Sequence, residues 1–197
     1  ISVVARFTGR YSGNLGWKDV TRLIFRPRHD QRKDLLSVLH APTNISGTAT
    51  ELVEGLRERG IPSDAVLWWA NPSYPEDNYI VTGRILRLIF FFAALRNYSV
   101  FHFYYGHSLL PFNIDLPILR LFRRRVFMNY VGSDSRLTFV DRRQNPYAAL
   151  YFGSPHDSDH PAQDGRKLRS MRWHSLWVTS AICGPPGRIY VEQAYKS

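Results

Sequence analysis

Three short polar segments, each with a glycine beside hydrogen-bonding side chains, hold the groups of this chain best suited to chemistry. They are Asn44-Ile45-Ser46-Gly47-Thr48, His102-Phe103-Tyr104-Tyr105-Gly106-His107 and Gly132-Ser133-Asp134-Ser135-Arg136. The first is followed by a helical pattern. A helix that begins just after such a loop turns its N–H groups and its positive dipole end toward a ligand above the strand, which suits phosphate or sugar oxygens. Each segment also has a plainer reading: Gly47 as a turn residue, His102 as a satisfied histidine in an aromatic strand, Asp134 as a helix cap. Their value lies in convergence, because loops that follow parallel strands share one rim of a sheet.

Other candidates are weaker. Ser154-Pro155-His156-Asp157-Ser158-Asp159-His160 places two His and two Asp close enough to suggest a divalent cation. The Pro- and Gly-flanked setting favours a solvated loop, so no metal ligand is expected. Cys183 has no base at a telling spacing and is not expected to act as a nucleophile. Trp68-Trp69 and Phe101-Phe103-Tyr104-Tyr105 could stack on sugar rings, but aromatic residues on strands more often fill a core.

The segments need a scaffold, and the hydropathy pattern supplies one. Leu35–His40 reads as a buried strand. Thr48–Arg59 follows as a helix whose Ala49, Leu52, Val53 and Leu56 share a face, stopped by Gly60 and Pro62. Strands are expected at Ala65–Trp69, Val100–Tyr104, Val126–Val131 and Trp177–Ile182. Helices are expected at Gly83–Asn97 (apolar on nearly all sides), Leu116–Phe122 and Ala162–Leu176, the last with a basic face of Arg166, Lys167, Arg169 and Arg172. Asn71–Asn78 is a loop. Strands separated by helices imply an α/β fold: a Rossmann-like, open, mostly parallel sheet with helices on both faces. Residues 1–33 show no sustained period and read as a basic N-terminal extension to a domain over 34–197.

The chain has 197 residues, 44% apolar, enough for one domain with a core. Its formal charge of +10 is unevenly spread: +6 over residues 1–33, +1 over 34–140 and +3 over 141–197. The best-patterned region is nearly neutral, which argues against nucleic acid as the partner and leaves an anionic membrane surface open for the flanks. One cysteine excludes an internal disulfide framework and suits a cytoplasmic protein. The longest strongly apolar run, Leu88–Leu95, is far short of the roughly 20 residues needed to span a bilayer.

With these segments in place, the chain resembles the N-terminal, acceptor-side domain of GT-B glycosyltransferases of the glycosyltransferase 4-like group. The likeness rests on Val38–Gly47 leading into a helix, Ser99–Gly106, Asp115–Arg120, and Val126–Arg136 ending in Gly-Ser-Asp-Ser-Arg. It implies that the chain belongs to an enzyme moving a sugar from a nucleotide-sugar to a hydroxyl of a glycan or lipid-linked acceptor. The fold would then be half of a two-domain cleft, with the nucleotide held by a second domain. No cofactor or essential metal is implied. By this resemblance Asn44, Ser46, Gly47, Thr48, His102, Gly106, Gly132, Ser133 and Arg136 bind donor or acceptor, and Asp134 is the catalytic candidate at the sugar-facing rim. Many relatives carry His just before the Gly of Gly-Ser-Asp; this chain has Val131, with Asn129 two residues earlier. The alternative is a non-catalytic Rossmann-like module for a glycan or a phosphorylated ligand. Gly47→Val is expected to block the ligand while leaving the fold intact.

Overall fold

The computed structural model describes residues 36–45, 47–68, 79–81, 83–144, 147 and 159–195. The expected basic extension, Ser46, Trp69 and the 71–78 loop therefore lie outside the described residues. In chain order the elements are β1 (Val38–Ala41), α1 (Thr48–Glu58), β2 (Ser63–Leu67), β3 (Tyr79–Ile80), α2 (Arg84–Asn97), β4 (Val100–Tyr104), α3 (Asp115–Leu121), β5 (Arg125–Tyr130), α4 (Thr138–Gln144), α5 (Asp164–Trp177), β6 (Ser180–Cys183) and α6 (Arg188–Tyr195). Short 3-10 turns precede α3, α5 and α6.

All six strands pair in parallel in the order β3-β2-β1-β4-β5-β6. β3 contributes only two residues, so the working sheet is five strands wide. The chain builds outward from β1 to β3, then crosses back over β1 to start β4 and builds in the other direction. That is the strand order of the doubly wound, Rossmann-like fold, and its reversal falls between β1 and β4. The register there sets His40 opposite His102 and Ala41 opposite Phe103.

Alternation along the strands sorts side chains between the two faces. Leu39, Phe101, Phe103, Val126 and Met128 enter the larger core with Phe90 and Phe91 of α2, Leu116 and Leu119 of α3, and Met171 of α5. On the opposite face Tyr104 and Ala65 pack against Ala49 and Val53 of α1. A sheet covered on both faces has no use for polar alternation, which is why β1 is buried at every position.

Several boundaries differ from the sequence reading. β2 starts two residues before Ala65 and β6 starts at Ser180 rather than Trp177. β3, α4 and α6 are additional elements, too short or too weakly periodic for hydropathy to reveal. α2 is sorted more sharply than its all-round apolar pattern suggests. Phe90, Phe91, Ala93, Ala94 and Leu95 are buried, while Ile85, Leu88 and Phe92 form an exposed stripe one turn apart. The basic face of α5 loses one member. Lys167 is buried, and its ammonium donates to the Arg136 carbonyl at 2.6 Å.

Candidate functional site

Because β1, β4 and β5 are parallel, the segments after them leave the same edge of the sheet. The loops after β1 and β5 flank the loop after β4, about 10 Å apart at two strand spacings. All three polar segments of the sequence thus sit on one rim, at the switch point where open α/β sheets receive ligands.

The first loop is held by its own asparagine. Asn44 is buried; its Oδ1 accepts from the Ala49 amide at 2.8 Å and its Nδ2 donates to the Thr50 hydroxyl at 2.9 Å. The Thr48 amide donates to the Ile45 carbonyl. Two amides of the first turn of α1 are therefore engaged within the loop, which corrects the expectation of a helix terminus with freely offered N–H groups. Gly47 has φ 76°, in the left-handed region. A valine there meets backbone strain of about 1–2 kcal/mol, so Gly47→Val is not neutral to the fold. Thr48 opens α1 and is half-buried.

At the end of β4 the chain turns through two successive left-handed residues, Tyr105 (φ 60°) and Gly106 (φ 66°). This swings the Tyr105 hydroxyl onto the Ser133 hydroxyl, tying the loop after β4 to the loop after β5. Gly106 carries structure as well: its carbonyl accepts from Asn113 Nδ2 at 3.1 Å.

In the third segment Asp134 closes the turn rather than capping a helix. Its Oδ1 accepts from the Gly132 amide at 2.9 Å and the Val131 amide at 3.2 Å. Its Oδ2 is buried without a hydrogen-bond partner. Burial pushes the carboxyl pKa up, and the backbone donors pull the other way. Gly132 is extended (φ 159°), and its carbonyl accepts from Ser135 and Arg136. Arg136 is diverted from the rim into an ion pair with Asp159 at 2.8 Å. Asp159, from the loop that suggested a cation, is thereby committed to Arg136, with the Lys167 ammonium at 3.7 Å. His156, Asp157 and Ser158 lie outside the described residues.

The structure adds His40 to two residues already named, His102 and Tyr104. His40 of β1, His102 and Tyr104 of β4 form a cluster: the Tyr104 hydroxyl lies 2.8 Å from His40 Nδ1 and 3.2 Å from His102 Nδ1. Burial holds both imidazoles neutral, His40 down to about 3 with help from neighbouring His102, and His102 down to about 4. Burial also raises the Tyr104 phenol. The two Nε2 atoms and the Thr43 hydroxyl are buried without partners. A second network ties the loop after β4 to α5. Asn113 takes the Ser108 amide and hydroxyl on Oδ1 and reaches His174 Nε2 at 2.7 Å, while His174 Nδ1 meets the Tyr130 hydroxyl at 2.7 Å. Asp115, fully buried, accepts from the Leu109 amide and the Ser108 hydroxyl, and desolvation pushes its carboxyl up to about 6. No sequence period marks these residues, because each meets its partner only through the sheet register or across a loop.

The aromatic candidates divide. Trp68 is core, with the Arg87 guanidinium 4.7 Å above its ring, and Phe101 and Phe103 are fully buried. Among the described residues of that set, Tyr105 alone reaches the rim. Cys183 borders a shallow cavity of about 380 Å³ beside β6 and α6, and burial raises its thiol pKa. A raised thiol is a poor nucleophile.

Compared with protein-family models, with curated proteins and with solved structures, the chain has no significant match.

Proposed function

We propose that this chain is the acceptor-side domain of a glycosyltransferase that moves a sugar from a nucleotide-sugar to a hydroxyl, the nucleotide being held by a second domain. One observation carries the reading. The loops after β1, β4 and β5 leave one edge of the sheet, where Tyr105 and Ser133 share a hydrogen bond and two buried polar atoms, Thr43 Oγ1 and Asp134 Oδ2, are left without partners. Neutral donors and one carboxylate oxygen on a sheet edge suit a hydroxyl-rich ligand better than a phosphate, since the rim cation Arg136 is paired and α1's opening amides are partly used. Asp134 is the proposed catalytic group, and Asn44, Ser46, Gly47, Thr48, His102, Gly106, Gly132 and Ser133 the proposed binding set.

Calorimetry of this chain against uridine and guanosine diphosphate sugars tests the assignment. Binding should be weak or undetectable, because base and ribose contacts belong to the other domain. Tight binding would place the donor site here and overturn the domain assignment. The second reading, a binding module without catalysis, draws on the use of Asp134 Oδ1 in its own turn and on the apolar Val131 before Gly132. Transfer of sugar by a protein containing this chain, abolished by Asp134→Asn, excludes that module.

A proposed partner surface lies on α2. Ile85, Leu88 and Phe92, flanked by exposed Arg84 and Arg96, suit peripheral contact with anionic lipid. Among the described residues no helix is long and apolar enough to cross a membrane.

A further inference from the structure

The Tyr104 hydroxyl sits between two imidazole nitrogens, His40 Nδ1 and His102 Nδ1. Tyr104 is fully buried. A phenol has one proton to give and lone pairs to accept with. If both histidines accepted at Nδ1, one would lack a proton to accept. If both donated, the phenol proton would have no acceptor in a buried site. The arrangement that satisfies the phenol and both Nδ1 atoms has Tyr104 donating to one histidine and accepting from the other. The distances favour one direction. The 2.8 Å contact to His40 fits O–H···N donation by the phenol, and the 3.2 Å contact to His102 lies at the long end for an N–H donor. His40 then carries its proton on Nε2, and His102 carries its proton on Nδ1 with a bare Nε2.

We infer that His40, Tyr104 and His102 form a tautomer-locked binding site at the β1–β4 switch point, presenting one N–H donor and one bare nitrogen acceptor to a neutral hydroxyl-bearing ligand. Both Nε2 atoms are buried and without partners, and His40 is 1% exposed. The rings are neighbours, 5.1 Å between centroids, because the parallel register sets His40 directly opposite His102. A hydroxyl both accepts and donates, so it matches such a pair; a carboxylate offers only acceptors and would leave His102 Nε2 facing a lone pair. Neutral imidazoles also provide no charge to hold an anion. The inference stands on this hydrogen-bond count and not on the glycosyl-transfer reading.

Long-range proton–nitrogen NMR on the histidine-labelled full chain at neutral pH reads the tautomers directly, with His40→Gln and His102→Gln assigning the signals. The expected result is an Nε2–H tautomer for His40 and an Nδ1–H tautomer for His102. Tyr104→Phe should abolish the difference. Identical tautomers in the unsubstituted protein, or a cationic ring at neutral pH, overturn the lock, and this readout survives even if Tyr104→Phe fails to fold. Methyl glucoside, as a neutral hydroxyl probe, should shift the His102 Nε2 signal, and inorganic phosphate should leave both rings unchanged. A response to phosphate, or none to the glucoside, overturns the ligand class. A locked pair that answers to the glucoside in a protein without sugar transfer would sink the enzyme reading and leave this one standing.

Discussion

Asp134 shows how one side chain can be both brace and reagent. One oxygen is spent on two backbone amides, and the other is buried and unpartnered. Asp134→Asn keeps an oxygen for those amides, so its thermal stability should stay near that of the unsubstituted protein while any sugar transfer falls by orders of magnitude. Asp134→Ala strands the amides and should cost about 1–3 kcal/mol as well; equal transfer by the Asn variant and the unsubstituted protein would remove Asp134 from the chemistry. The buried histidines make a pH prediction. His40, His102 and His174 are held neutral by burial, down to about 3, 4 and 4, against an ordinary 6.5. The unfolded chain therefore binds protons first as pH falls. Their stabilisation is complete above pH 6.5 and is lost progressively from there toward pH 4, about 3 kcal/mol for the fully buried His174. Asp115 and Asp134 act in the opposite sense, since a carboxyl raised by burial, to about 6 for Asp115, takes up its proton in the folded state first. Three histidines outweigh two carboxyls, so denaturant midpoints should fall between pH 6.5 and 4, and His174→Gln should flatten part of that slope.

At the scale of elements, the start of α1 decides the shape of the first loop. Asn44→Ala removes the acceptor for the Ala49 amide and should destabilise by about 1 kcal/mol, whereas Asn44→Asp should restore most of it. Chemical denaturation of the two variants checks this, and equal loss in both would show that the Nδ2 bond to Thr50 matters more. α2 teaches a different lesson. Its apolar residues exceed what one face can bury, and the surplus emerges as Ile85, Leu88 and Phe92. Replacing these three by Ser should leave the fold stable and abolish co-sedimentation with anionic vesicles; unchanged sedimentation would shift the membrane contact elsewhere. Phe91→Ala, on the buried side of the same helix, should instead cost about 3–5 kcal/mol.

At the scale of the whole molecule, the switch point is the governing feature, and it was only half legible in the sequence. Alternating strand and helix patterns sufficed to identify an α/β fold with a parallel sheet, because buried parallel strands and amphipathic helices each leave a local signature in hydropathy. β4 was readable to the residue, and α1 and α2 to within one, since Gly60, Pro62 and Gly83 punctuate the chain. Which loops would meet was also foreseeable in kind: once strands are parallel, the loops that follow them share an edge. Local pattern could not show strand order, and strand order decides which of those loops are neighbours. Nor could it show what the polar groups do on arrival. Asn44 closes its own helix, Arg136 turns away to Asp159, and Lys167 leaves a basic face to hold a carbonyl. The His40–Tyr104–His102 cluster exists only because a register, set across the sheet by backbone hydrogen bonds, places residues 62 positions apart side by side. Sequence alone determined the elements and the residue types at their ends, through short-range periodicity. The tertiary structure alone decided which of those residues share a hydrogen bond, because burial and pairing are properties of the packed sheet and not of any segment.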